Sequence, residues 1–140
     1  MEQPLHVLLV DDDADDREIF AWAIKCVHPS VAVDTAIDGL DALEKLETWG
    51  YRPDIIFLDL NMPSMNGFDF LARVRQMDTW SSLPIIVYST SSNPQDMARS
   101  RVLGATDYIV KGNEVSIIKQ DLLQAITKYH RSDPEHEYRK

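Results

Sequence analysis

The sequence predicts an α/β domain: one five-stranded parallel sheet, doubly wound, with helices on both faces. Short apolar runs of strand length alternate five times with longer stretches in which apolar residues recur at helical spacing. Strands separated in this way by helices need crossover connections, and crossovers make the sheet parallel. The 140 residues, 44% of them hydrophobic, suffice for one full core. Residues 1–130 are therefore expected to form a single domain, leaving no room for a DNA-binding output domain. Residues 131–140 lack an apolar stripe and are expected to be a flexible tail.

Each element has its own signal. Leu5, Val7, Leu8, Leu9 and Val10 make a nearly continuous apolar run, the pattern of a strand covered on both faces. Ile19, Phe20, Ala23, Ile24 and Val27 follow at helical spacing, and His28-Pro29 stops that helix. Cys26 lies on its apolar side and reads as a core residue. Val31 to Val33 is the second strand. Asp38 is placed to cap a helix striped by Ala42, Leu43, Leu46 and Trp49. Arg52-Pro53 breaks the chain before Ile55-Ile56-Phe57-Leu58, the most hydrophobic run, which ends at Asp59. Phe70, Leu71, Val74 and Met77 mark the third helix. Leu83-Pro84 introduces a fourth strand, Ile85 to Tyr88, followed by Ser89, Thr90, Ser91, Ser92 and Asn93, with Pro94 suited to a first helical turn. A helix around Met97 to Leu103 ends at Gly104, and Tyr108-Ile109-Val110 is the fifth strand. Val115, Ile118, Leu122, Ala125, Ile126 and Tyr129 mark one face of the last helix.

Fourteen Lys and Arg stand against 23 Asp and Glu, a net charge of −9 that opposes nonspecific attraction to nucleic acid or anionic membrane. Asp11, Asp12, Asp13, Asp15 and Asp16 fall in one short stretch and account for over half of that imbalance, so the charge is local and suggests a site. No apolar run approaches the ~20 residues of a membrane span, and Met1 to Pro4 has none of the apolar character of a signal peptide. The chain is expected to be soluble and cytoplasmic. His6, His28, His130 and His136 show no metal-ligand spacing.

Open parallel sheets bind ligands outside the carboxyl ends of their strands. Asp11 and Asp12 follow the first strand, Asp59 ends the third, Ser89 follows the fourth and Lys111 the fifth. Carboxylates gathered in one cleft repel one another unless a cation compensates, and oxygen-only ligands favour Mg²⁺. A carboxylate can also attack phosphorus to give an acyl phosphate, a reaction that needs positioning and charge neutralisation from a metal, an ammonium and a hydroxyl. Asp13, Asp15 and Asp16 are read as acids of a helix N-terminus instead. Lys111 alone would be a solvated lysine and Ser89 alone a turn residue; their convergence with Asp11, Asp12 and Asp59 is what points to a site.

In order, Leu8-Leu9-Val10-Asp11-Asp12-Asp13, Phe57-Leu58-Asp59-Leu60-Asn61-Met62-Pro63 with Asn66-Gly67, Val87-Tyr88-Ser89-Thr90, and Gly104-Ala105 leading to Tyr108 and Lys111 resemble the receiver domain of two-component response regulators. The resemblance covers about residues 5 to 129 and is to the stand-alone kind, similar to the chemotaxis response regulator. It implies a flavodoxin-like fold with strand order 2-1-3-4-5. It implies that Asp59 is the phosphoacceptor, supplied by a sensor histidine kinase or a histidine phosphotransfer protein. Asp12 would hold Mg²⁺ directly, Asp11 mainly through water, and Asn61 through its backbone carbonyl. Lys111 and Ser89 would each bond a phosphoryl oxygen, and Tyr108 would turn inward as Ser89 shifts, remodelling the face of the fourth helix, fifth strand and fifth helix. Asn61 and Ser91 would border the hydrolytic water and set the phosphoryl lifetime. Output would pass to an unknown downstream protein or by phosphorelay, with no direct nucleic-acid or membrane contact, from a monomer or a homodimer joined through that face. No enzyme activity is implied beyond the protein's own phosphorylation and dephosphorylation.

Two departures from the family's pattern stand out. Gly112 follows Lys111 where the family usually has proline in a cis peptide; the sequence leaves cis and trans both open here, and glycine's permissive dihedrals would accommodate a trans bond. Thr79-Trp80-Ser81-Ser82 is longer than in the chemotaxis protein and is similar to insertions in single-domain receivers paired with phytochrome-type kinases; Trp80 reads as its loop anchor. Rival readings are a Mg-dependent aspartyl-phosphate phosphatase, a pseudo-receiver interaction module and a flavin-binding protein. Asn61 stands where such a phosphatase needs a second aspartate, the acidic site looks complete for a pseudo-receiver, and acids occupy the loop where a flavin phosphate would sit.

Overall fold

A computed structural model describes residues 4–48 and 52–130. Trp49, His136 and the tail expected at 131–140 lie outside the described residues. The elements run β1 (His6–Val10), α1 (Ala14–Val27), β2 (Ala32–Ala36), α2 (Gly39–Thr48), β3 (Ile55–Leu58), α3 (Gly67–Arg75), β4 (Ile85–Ser89), α4 (Pro94–Val102), β5 (Asp107–Val110) and α5 (Val115–Tyr129). A one-turn 3-10 helix at Asp78–Trp80 precedes β4.

All strand pairings are parallel, in the order β2-β1-β3-β4-β5. This is the doubly wound parallel sheet that the alternation of runs predicts, in the flavodoxin-like order that the resemblance implies. β1 sits between β2 and β3, with Leu9 opposite both Thr35 and Phe57. The interior strands β3 and β4 are buried along their whole length, which is why they read as unbroken apolar runs. β2 is an edge strand and extends to Ala36, past the expected Val33, because its Asp34 faces solvent and hides the strand in a polar pattern.

The sheet has a core on each face. α1 and α5 cover Val7, Leu9, Phe57, Ile86 and Tyr88, where Phe20 meets Phe57 and Tyr88 edge-on at ring-centre distances of 5.0 and 5.7 Å. α2, α3 and the 3-10 turn cover Leu8, Val10, Ile56, Leu58 and Ile85, and Trp80 is buried there as the anchor of its loop. Four helices begin on side-chain caps: Asp13 accepts from the amides of Asp15 and Asp16, Asp38 from Asp41, Asn66 from Asp69, and Asn93 from Gln95.

At the sheet end opposite the polar loops, Arg75 donates to the Gly104 and Trp80 carbonyls and to Thr106 Oγ1, while Thr106 Oγ1 also accepts the Ile85 amide. Gly104 has φ +111° with the Arg75 side chain packed across it, a position only glycine fills without strain.

Several local expectations need correction. α4 begins at Pro94, the proline suited to its first turn, but ends at Val102 with Leu103 as its cap, and Ser100 is its one buried residue. Cys26 is exposed, because the α1 surface it occupies turns away from the sheet. Ile19 and Val115, assigned to apolar stripes, are 45% and 46% exposed. The Lys111–Gly112 peptide, which the sequence left open, is trans: the described residues contain no cis bond.

Candidate functional site

The strand order reverses at β1, since β2 lies on one side of it and β3 on the other, and this opens a crevice at the strands' carboxyl ends. The backbone ladder runs one residue beyond the strands: the Asp11 amide donates to the Ala36 carbonyl at 3.0 Å and the Asp59 amide to the Val10 carbonyl at 2.9 Å. Asp11 and Asp59 are thereby buried at the crevice floor while Asp12 stays exposed at its mouth. Carboxylate oxygens of all three lie within 4.8 Å of one another. Three hard oxygen donors with no sulfur or imidazole among them suit a magnesium-like ion.

The loop after β3 is held by close backbone approach. The Gly67 amide donates to the Leu60 carbonyl at 3.0 Å, and a Cβ at Gly67 would fall 2.5 Å from the Asp59 carbonyl oxygen and 2.8 Å from Leu60 Cα. Glycine at the start of α3 is what lets that helix rest against the Asp59 backbone.

Lys111 is delivered by β5, where its amide bonds the Ser89 carbonyl at 2.7 Å. Its Nζ donates to Asp11 Oδ2 at 2.7 Å and to Asp16 Oδ2 at 2.8 Å, and stands 4.0 Å from Asp59 Oδ1. Burial pushes the Asp59 carboxyl up to about 6; Lys111 opposes the rise, and Asp11 and Asp12 add to it. Burial alone would lower the Lys111 ammonium, but its bonds to Asp11 and Asp16 and the charge of Asp59 outweigh that and raise it.

Ser89 is fully buried at the end of β4. Its Oγ accepts the Ser91 amide at 3.1 Å, and the Ser91 carbonyl accepts the Tyr108 hydroxyl at 2.8 Å. Ser91 Oγ donates to Asp96 in the first turn of α4 at 2.7 Å. Asn61 is exposed at the site's rim, and its backbone bonds the Asp59 carboxylate.

Asp11, Asp12, Asp59, Lys111 and Ser89 thus converge on one end of the sheet. Asp16 is a member that sequence reasoning missed. It does lie in the first turn of α1, as expected, but its carboxylate also reaches across to β5. Its one sequence signal was proximity to Asp11, which capping explained equally well. Asp16 and Lys111 line a cleft of about 570 Å³ between α1 and α5, walled by Ile19, Trp22, Tyr88 and Val115. The exposure of Ile19 and Val115 follows from this opening.

A model of the response regulator receiver domain matches residues 7–127. Protein PilG of Pseudomonas aeruginosa is 34% identical over 122 residues, covering 87% of this chain and 84% of PilG. The sensor histidine kinase CheAY of Helicobacter pylori is 35% identical over 106 residues, 75% of this chain, and the chain spans 13% of that kinase's length. Among solved structures, the phosphorylated cyanobacterial phytochrome response regulator RcpA superposes with a TM-score of 0.84 at 28% identity, over 94% of this chain and 97% of that one. The Mn²⁺-bound form of response regulator Rcp1 does so with a TM-score of 0.80 at 26% identity, over 93% and 97%.

Proposed function

The chain belongs to the response regulator receiver domain family, and from that premise we propose that it is a phosphorylation-controlled switch whose phosphoacceptor is Asp59. The observation that carries this reading is the meeting of Asp11, Asp12, Asp59 and Lys111 at the crevice between β1 and β3. An Asp59 carboxylate oxygen attacks the phosphorus of a phosphohistidine on a sensor histidine kinase or histidine phosphotransfer protein. The P–N bond breaks, the imidazole leaves with a proton from solvent, and an aspartyl phosphate remains.

Asp11, Asp12 and Asp59, with the Asn61 backbone carbonyl, would hold Mg²⁺, which when bound neutralises charge on the transferring phosphoryl group. The Mn²⁺-bound relative and the all-oxygen donor set support this choice. Lys111 pairs with one phosphoryl oxygen and Ser89 moves to donate to another. Asn61 and Ser91 border the path of the hydrolytic water and set the lifetime of the phosphoryl group. Phosphorylation adds nearly two negative charges and three acceptors at one point, and Ser89 and Lys111 gain partners in that form alone. That differential interaction biases a two-state equilibrium.

Ser91 carries the change outward. When Ser89 Oγ leaves the Ser91 amide, the carbonyl that holds the Tyr108 hydroxyl moves with the same residue. The face of α4, β5 and α5 is then the output surface, read by a downstream protein or by a second copy of the chain. α4 buries little, which suits an element that must shift. Residues 1–130 act as one receiver unit. The likeness to RcpA and the Trp80 insertion support a donor kinase of phytochrome type.

The test is an intact mass after incubation with Mg²⁺ and a small phosphodonor. A gain of about 80 Da, one phosphoryl group, is expected and should vanish in Asp59→Asn. A gain that survives in Asp59→Asn would overturn the assignment of the acceptor, and no gain in the wild-type chain would favour the pseudo-receiver.

A further inference from the structure

We propose that Asp16 is a positioning residue that holds the Lys111 ammonium on the α1 side of the pocket, so that the phosphoryl group on Asp59 has to win Lys111 from it. This rests on the reading of Asp59 as phosphoacceptor. The juxtaposition is specific: Lys111 Nζ donates to Asp16 Oδ2 at 2.8 Å and to Asp11 Oδ2 at 2.7 Å, and lies farther, 4.0 Å, from Asp59 Oδ1. An ammonium has three donors, and two are committed to Asp11 and Asp16.

Those two commitments differ in kind. Asp11 is buried among the candidate metal ligands, so a cation in the crevice draws its carboxylate away from Lys111. Asp16 stands outside that ligand group, in the first turn of α1, so a cation in the crevice does not compete for it. Its carboxylate is 38% exposed at the α1–α5 cleft, against 9% exposure for the Lys111 side chain. Lys111 is therefore tethered by a carboxylate that has not lost all of its hydration, a pairing strong enough to orient the amine and weak enough to be exchanged.

Other charges facing the ammonium do not replace this tether. Asp12 forms no bond to Lys111, and the Tyr88 ring, 5.6 Å away, is uncharged. Asp13 spends its Oδ1 on the amides of Asp15 and Asp16, and this cap presents the Asp16 side chain at the head of α1. Without Asp16 the ammonium has Asp11 and Asp59 as its remaining neighbours, and it turns toward the acceptor.

The test titrates Mg²⁺-saturated protein with beryllofluoride, a phosphoryl mimic, following the bound ligand by fluorine NMR. Asp16→Asn and Asp16→Ala should bind about fivefold more tightly than wild type, the ratio that one exchanged, partly exposed ion pair supports. Asp15→Asn removes the same charge from the same turn without touching Lys111 and should leave the affinity unchanged; Asp16→Glu should stay close to wild type. A readout free of metal is the Lys111 side-chain nitrogen resonance, which should move in Asp16→Ala and stay in Asp15→Asn. Equal tightening in the Asp15 and Asp16 variants, or none in either with the resonance unmoved, would overturn the proposal. Should the wild-type protein bind no beryllofluoride, the failure would belong to the Asp59 assignment, and the nitrogen resonance would still decide whether Asp16 holds Lys111. Urea midpoints for each variant confirm that folded protein is being compared.

Discussion

Tyr108 and Ser91, seventeen residues apart, are joined by a hydroxyl-to-carbonyl hydrogen bond of 2.8 Å. The Ser91 amide at the same time donates to Ser89. One residue thus touches both the buried hydroxyl at the end of β4 and the aromatic on β5.

Tyr108→Phe removes that hydroxyl and should cost about 1 kcal/mol of stability. In a double-mutant cycle with Ser89→Ala, measured by urea denaturation, the two substitutions should couple by at least about 0.5 kcal/mol. Additivity would show that Ser91 does not connect them.

Asp59→Asn should stabilise the metal-free protein near neutral pH. Burial raises this carboxyl from 3.8 to about 6, so the folded chain binds that proton more tightly than the unfolded chain does. The stability contributed by the protonated form is complete below the unfolded value and is lost as pH climbs through about 6. At about pH 7.5 the variant should gain between about 1 and 3 kcal/mol, and the gain should fade toward pH 4. Adding Mg²⁺ should narrow the difference from the wild-type side, because an ion held by Asp59 stabilises the ionised form. Urea midpoints across the pH series with and without Mg²⁺ check both statements.

Gly67→Ala places a methyl group 2.5 Å from the Asp59 carbonyl oxygen, where backbone has to yield. A loss of about 1–3 kcal/mol is expected, as for other overpacked sites. Because the displaced backbone carries the acceptor, phosphoryl uptake from a small donor should fall by more than the stability loss explains at temperatures where the variant remains folded. Uptake equal to wild type would separate α3 from the acceptor's placement.

Exchanging Asn61 or Ser91 for larger or charged residues should alter the decay of the phosphoryl group several-fold in rate, a change of about 1 kcal/mol in the hydrolytic barrier. Loss of the mass increment over time measures it. Unchanged decay in both variants would remove these two residues from the path of the water.

Much of this molecule could be read before any coordinates. β1, β3 and β4 are interior strands, and interior parallel strands announce themselves as apolar runs; Asp11 and Asp12 follow the first of these, Asp59 follows the second and Ser89 ends the third, while Lys111 follows the short edge strand β5. The length of β2 was hidden because an edge strand with Asp34 in solvent has no such pattern. Helical spacing identifies a stripe without saying how far round the helix the cover extends: Cys26 falls beyond the cover on α1, and the α1–α5 cleft leaves Ile19 and Val115 open. Asp16 escaped because a helix N-terminus already accounts for an acid, while its bond to Lys111 spans 95 residues and leaves no local trace. Arg75 escaped for the same reason: its acceptors are carbonyls of Trp80 and Gly104, which every sequence contains.

The contact between Lys111 and Asp11 spans 100 residues. A ribosome adding about 5–20 residues per second therefore delivers the acidic head of the chain some 5–20 s before the amine that balances it. Throughout that interval Asp11 lacks the Lys111 ammonium that pairs with it in the folded chain. A truncated product ending before β5 would carry the proposed acceptor without the amine that stands beside it.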